Sequence, residues 1–97
     1  MNRDLYQAIL LNPADNVVCL LQDMRKGEKP SVAGVIPPTI LQDTSLGHKV
    51  ATSRILQGAA VVKYGAVIGH AIKDIEAGEH VHLHNLTGRL QAEGDMT

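Results

Sequence analysis

The segment Arg54-Ile55-Leu56-Gln57-Gly58-Ala59-Ala60-Val61 returns twenty residues later as Asp74-Ile75-Glu76-Ala77-Gly78-Glu79-His80-Val81. In both, a polar residue precedes an apolar anchor and two residues intervene. A glycine then takes a backbone conformation that a side chain would resist, and an apolar run begins. A weaker copy runs Asp23-Met24-Arg25-Lys26-Gly27-Glu28. A turn reused in this way marks the entry to successive short strands. Two good copies are too few for a stacked solenoid, which needs three or more repeats to bury a continuous core, so the pattern predicts a compact, strongly bent sheet.

The rest of the chain keeps the same rhythm. Runs rich in Val, Ile and Leu predict strands over 6–11, 17–21, 32–36, 49–52, 60–63, 67–72 and 80–84, none with the length or 3.6-residue period of a typical helix. The breaks between them, Asn12-Pro13-Ala14-Asp15-Asn16, Lys26-Gly27-Glu28-Lys29-Pro30 and Pro37-Pro38, carry residues that stop a strand. Gly65 and Gly69 bracket one strand and imply a tight corner or a close approach of backbone. Only 39–47 has a composition compatible with a helix, and it is short. The expectation is an all-β domain over residues 1–86, followed by a flexible or partner-docking tail over 87–97 that has no apolar period.

Composition narrows the function. The 97 residues suffice for one small core. That core is aliphatic, because nine Val, seven Ile, eleven Leu and ten Ala stand beside two Tyr and no Phe or Trp. Without aromatic platforms, and with a net charge of −1, the chain has neither the stacking surface nor the basic footprint of a nucleic-acid binder. The longest apolar run, 17–21, is too short to span a membrane. The single Cys19 has no internal disulfide partner, and the expected location is a reducing cytoplasm. Flanked by Val18 and Leu20, it reads as an inert core thiol.

Chemistry is concentrated in histidines. His80, His82 and His84 alternate, which on a strand places them on one face at a spacing from which imidazoles can converge on a metal ion. The same three residues also read as the wet face of a half-buried strand, and they make no complete ligand shell without a further group. Asn85 adds an amide able to bond a ligand or a turn. In Leu46-Gly47-His48-Lys49-Val50 a glycine turn delivers a His and a Lys together, a pair able to bind a carboxylate and move a proton, or to form an ordinary surface turn. His70, alternating with Ile68 and Ile72, reads as a partly buried structural histidine. No glycine-rich phosphate loop is present, and Ser31, Ser45 and Ser53 lack a nucleophile elbow.

Taken together, Gly47-His48-Lys49-Val50-Ala51, Lys63-Tyr64-Gly65-Ala66-Val67-Ile68-Gly69 and Gly78-Glu79-His80-Val81-His82-Leu83-His84-Asn85 resemble the SAF domain of the altronate dehydratase family, which Asp15-Asn16-Val17 also fits. The resemblance spans 6–86. It implies a β-clip fold, a small barrel of short bent strands. In the family this domain stands at the N-terminus of sugar-acid dehydratases, or forms a separate small subunit, as in the two-chain sulfolactate sulfo-lyase. These enzymes depend on a divalent metal, Fe2+ or Mn2+, and their large catalytic region supplies much of the chemistry. By motif, His48 and Lys49 are implied near the substrate carboxylate as catalytic and substrate-binding residues. Asn85 is implied in substrate binding, and His80, His82 and His84 at the metal. The galactarate enzymes share the Gly-His-Lys turn but not the histidine-rich strand, so metal ligation by that strand is not a family requirement.

A dehydratase needs several convergent groups in a closed pocket, more than a barrel of this size offers. The expectation is therefore a small subunit that contributes to a site shared with a large catalytic chain, and Met1 at the start is in keeping with a natural subunit. The rivals are a non-catalytic carbohydrate-binding or assembly module and a small metal-binding protein that uses the three histidines alone. Exposed strand edges are compatible with self-association of the isolated chain.

Overall fold

The computed structural model describes residues 6–82 and 84–87, and in them the fold is all-β, with no helix. Accordingly, among the described residues no helix is long and apolar enough to cross a membrane. A four-stranded antiparallel sheet has the order β1 (Ala8–Ile9), β2 (Val17–Leu20), β3 (Lys49–Ala51), β6 (His80–Val81). A three-stranded sheet has the order β4 (Ala60–Lys63), β5 (Ala66–Ala71), β7 (Leu86–Thr87). The strands are two to six residues long because turns recur so closely.

Those turns organise the molecule. The motif occurs four times, over 21–28, 41–48, 52–59 and 72–79, and the copies interlock in two reciprocal pairs. In the first pair Met24 and Thr44 exchange backbone hydrogen bonds, Gly27 N donates to Ile40 O, and Gly47 N donates to Leu20 O. In the second, Ile55 and Ile75 exchange bonds, Gly58 N donates to Ala71 O, and Gly78 N donates to Ala51 O. The four glycines have φ between 85° and 93°, the left-handed region that side chains resist. Aspartates cap the turns across each pair: Asp43 accepts from Lys26 N, Asp23 from Leu46 N, and Asp74 from Gln57 N. In the third copy Arg54 stands where the others have Asp, and it bonds Asp74 and Glu76 instead.

The copy at 41–48 lies in the window that composition made helix-compatible, which folds as a turn. Its anchor is Thr44, whose buried hydroxyl donates to Gln42 O and is thereby satisfied. Residues 32–36 are not a strand either. Gly34 turns the chain with φ 92° between Pro30 and Pro37, so Val32 is buried while Ile36 is 85% exposed.

Two aliphatic clusters lie on opposite faces of the β2–β3 pair. Val18, Leu20 and Val50 join Ala8, Met24, Val32 and Ile40. Val17 and Ala51 join Ile55, Val61, Ala71, Ile75 and Val81. Each fully buried anchor such as Ile75 contributes roughly 1.5–3 kcal/mol.

The second sheet is fastened by polar side chains from the loop before β2. Nearly buried Asp15 accepts from Tyr64 N and Gly65 N at the β4–β5 hairpin tip, both at 2.8 Å. Asn16 accepts from Val62 N and donates to Ala60 O. Gly69 in β5 lets β7 approach: a Cβ there would collide with the Thr87 carbonyl. Thr87, placed in the tail by composition, pairs with His70 in this sheet. The remainder of that expected tail, 88–97, lies outside the described residues, as does Leu83.

Candidate functional site

Among the places where the repeat departs from its own chemistry, the residue after the glycine bears on function: the third copy has Ala59 there, whose side chain carries no polar group. After the glycine, the first and fourth copies carry Glu28 and Glu79, whose carboxylates turn back to accept from Arg25 N and Glu76 N. The second copy has His48 there. Its backbone closes the same turn, with His48 N donating to Ser45 O, but the imidazole is released from capping. The β3–β6 register, Lys49 opposite Val81 and Val50 opposite His80, brings the second and fourth turns side by side. His48 Nδ1 thereby lies 2.9 Å from His80 Nε2.

Around this pair the other imidazoles gather. The His48 and His80 rings meet edge to face with centroids 4.7 Å apart, and His82 stacks on His80 at 5.6 Å and within 6° of parallel. His84 is 5.5 Å from His80. They do not lie along one strand. β6 ends at Val81, and a turn follows in which Asn85 N donates to His82 O. That turn, rather than strand alternation, gathers the three histidines.

Asn85 lies beneath the cluster rather than in it. It is 0% exposed; its side-chain oxygen accepts from His82 N, and its amide nitrogen donates to His80 O and to Glu79 Oε2. No atom of its amide faces an incoming molecule. His70 is exposed on β5, away from the partly buried place its alternation implied, and Cys19 sits partly buried in β2 as an ordinary strand residue.

Electrostatically the site is a collection of bases. His80 is held below the ordinary histidine value of 6.5, first by burial and then by repulsion from His48, His84, His82 and Lys49. Glu79 is occupied by Glu76 N and Asn85. A neutral His48–His80 pair has one nitrogen donating and one accepting, and a proton on both rings would set two imidazolium ions against each other. Lys49, which the β3–β6 register sets opposite Val81 on the other face of the sheet from His80, is still near enough to repel a proton there. Together they combine a cation with imidazoles able to accept and donate.

A divalent metal fits these residues less well. Among the described residues no three His, Cys, Asp or Glu side chains are grouped to hold an ion. His80 Nε2 is engaged by His48, and the parallel stacking of His80 and His82 sets their rings side by side. The ligand set expected of His80, His82 and His84 is not assembled in this geometry.

Residues 6–89 match the altronate/galactarate dehydratase SAF domain. The chain belongs to that family. Relatives include altronate dehydratase of Bacillus subtilis, 43% identical over 84% of this chain, and altronate dehydratase of Escherichia coli, 46% identical over 87% of it. The chain spans only 16% and 17% of those two proteins. The (2R)-sulfolactate sulfo-lyase subunit alpha of Paracoccus pantotrophus is 45% identical over 48% of this chain and 70% of its own length. Within the SAF domain the motifs divide their labour: Asp15-Asn16 and Tyr64-Gly65 form one clamp, while Gly47-His48 and Gly78 to Asn85 build the histidine cluster. The repeat itself held a signal that alternation did not. Of the two copies that lack the capping Glu28 or Glu79 equivalent, the third has Ala59 and the second has His48, so His48 is the one such position with a side chain able to do chemistry.

Proposed function

We propose that this chain is the small subunit of a cytoplasmic two-chain lyase that removes water from a hydroxylated sugar acid, completing a site whose remaining groups, including the divalent metal implied by the family, belong to a larger partner. The observation that carries the reading is the His48–His80 pair, with Lys49 next to His48 in sequence, in a chain of the altronate/galactarate dehydratase SAF family. Lys49 engages the substrate carboxylate. In the elimination, the hydrogen beside that carboxylate leaves as a proton and its bonding pair becomes the new C=C bond. The neighbouring C–O bond breaks, and the hydroxyl departs as water after taking a proton. His48, backed by His80, delivers that proton; abstraction of the first falls to the partner chain.

The test begins with purification of the tagged chain from its native cells. A much larger stoichiometric companion is expected, and recovery of the chain only with itself counts against the subunit reading in favour of a binding module. In the reconstituted enzyme, His48→Ala and Lys49→Ala should each lower turnover by about 10²-fold or more, as removal of a proton-transfer or charge-stabilising group does. Unchanged turnover in both refutes the role. A second reading, elimination of sulfite from a sulfonated analogue, is favoured by similarity to a relative that is itself a subunit and of which this chain covers 70%. Assay of released sulfite separates the two.

A further inference from the structure

We propose that Asn85 is the positioning residue of the histidine cluster, a buried amide whose three hydrogen bonds fix where His80 and His82 stand and so hold His80 against His48. The amide offers two donors and one acceptor in play here, and all are used on the segment that carries the imidazoles: Nδ2 donates to His80 O at 2.8 Å and to Glu79 Oε2 at 3.1 Å, and Oδ1 accepts from His82 N at 3.0 Å. Its backbone fastens the same turn from both sides, donating to His82 O and accepting from Ile72 N. The amide therefore ties the last turn of the repeat, the end of β6 and the return to β7 into one unit.

The pattern demands asparagine. Aspartate has the same shape, but its second oxygen would face the His80 carbonyl and the Glu79 carboxylate, placing three acceptors together in a buried site. Glutamine adds a methylene where there is no exposed surface to receive it. Alanine leaves His82 N and His80 O without these partners. The rings of His48 and His80 meet at 2.9 Å only while the backbone on both flanks of Val81 is held, and no other side-chain bond among the described residues joins 80 to 82. The relevance of this to turnover rests on the reading of the cluster as a lyase site; the geometry does not.

The experiment uses the full chain, 15N-labelled, as wild type, Asn85→Ala and Asn85→Asp, and follows amide hydrogen exchange together with the imidazole 15N resonances. The expected result is that His82 N–H exchanges about tenfold or more faster in Asn85→Ala, which removes its one acceptor, and less so in Asn85→Asp, which keeps an oxygen for His82 N but sets its second against His80 O and Glu79 Oε2. The His48 and His80 ring signals lose their hydrogen-bonded pattern, while exchange at Ile55 and Ile75, bonded to each other in the opposite turns, stays as in wild type. Wild-type exchange at His82 in Asn85→Ala, or wild-type ring signals in both variants, would overturn the proposal by showing that the amide does not fix the cluster. A uniform rise at His82, Ile55 and Ile75 would also overturn it, since Asn85 would then support the whole fold rather than the site. Turnover plays no part in this readout, so failure of the lyase reading and failure of the positioning role are separately visible.

Discussion

Gly58 and Gly78 occupy equivalent places in partnered turns, with φ of 87° and 85°, yet their surroundings differ in a way that should separate them sharply on mutation. A Cβ at Gly58 would meet nothing within 4 Å. A Cβ at Gly78 would collide with the Thr39 carbonyl, immediately before Ile40 N, which donates to Glu28 O, and Leu41 N, which donates to Gly78 O. Gly58→Ala therefore carries only the left-handed backbone penalty, about 1–2 kcal/mol. Gly78→Ala carries the same penalty plus displacement of a well-packed backbone, about 1–3 kcal/mol more. For a domain of this size each kcal/mol lowers Tm by about 4–8 °C. The assay is thermal unfolding followed by far-ultraviolet circular dichroism at one protein concentration. Equal losses of Tm would refute the reasoning, because they would mean that the Thr39 contact yields at no cost. A larger loss at Gly58 would refute it more strongly still. Gly78 also leads directly into Glu79 and His80, so its variant should disturb the histidine signals, and Gly58→Ala should leave them alone.

Two further outcomes test other parts of the molecule. Asp15→Ala removes two charge-assisted bonds from a nearly buried carboxylate and should cost about 2–4 kcal/mol in urea unfolding, with faster exchange at the Tyr64 and Gly65 amides; exchange there as slow as in wild type would mean that the hairpin tip holds itself. Because His80 is held below 6.5 in the folded chain, the unfolded chain takes up that proton first as pH falls. Its contribution to stability is therefore complete above about pH 6.5 and declines on acidification. Between about pH 7.5 and about pH 5.5 the wild type should lose more Tm than His80→Gln does, and parallel curves would show that His80 is not displaced from its ordinary value.

How far the sequence discloses this molecule depends on the range of each interaction. The turns at 23, 54 and 74 are legible because polar residue, anchor and glycine lie within five positions of one another. The copy at 43 is not, since its anchor is Thr44, a polar residue whose burial is made tolerable by a bond to Gln42 O that spacing does not reveal. Residues 32–36 have strand composition, but Gly34 and the flanking prolines decide their path. The histidines were legible as a group and not as an arrangement. Their alternation is cut short after Val81 by the bonds of Asn85, and the approach of His48 depends on a pairing across more than thirty residues. Legible too was the close approach implied by Gly69, because a missing side chain in an otherwise apolar strand has few other uses.

The burial of the β2–β3 pair on both faces has a consequence for how the chain finds its alignment. In most antiparallel sheets a slip by one residue is punished because it carries apolar groups into water and polar groups into the interior. Here a slip would exchange Val17 with Val18, or Val50 with Ala51, between two interiors that are both aliphatic, and solvation would discriminate poorly between the alternatives. Alignment must be enforced from the ends, by Gly47 N on Leu20 O at one end and Gly78 N on Ala51 O at the other. The glycine turns thus act as the ruler of the sheet, and the spacing of the imidazoles they carry is inherited from that measurement.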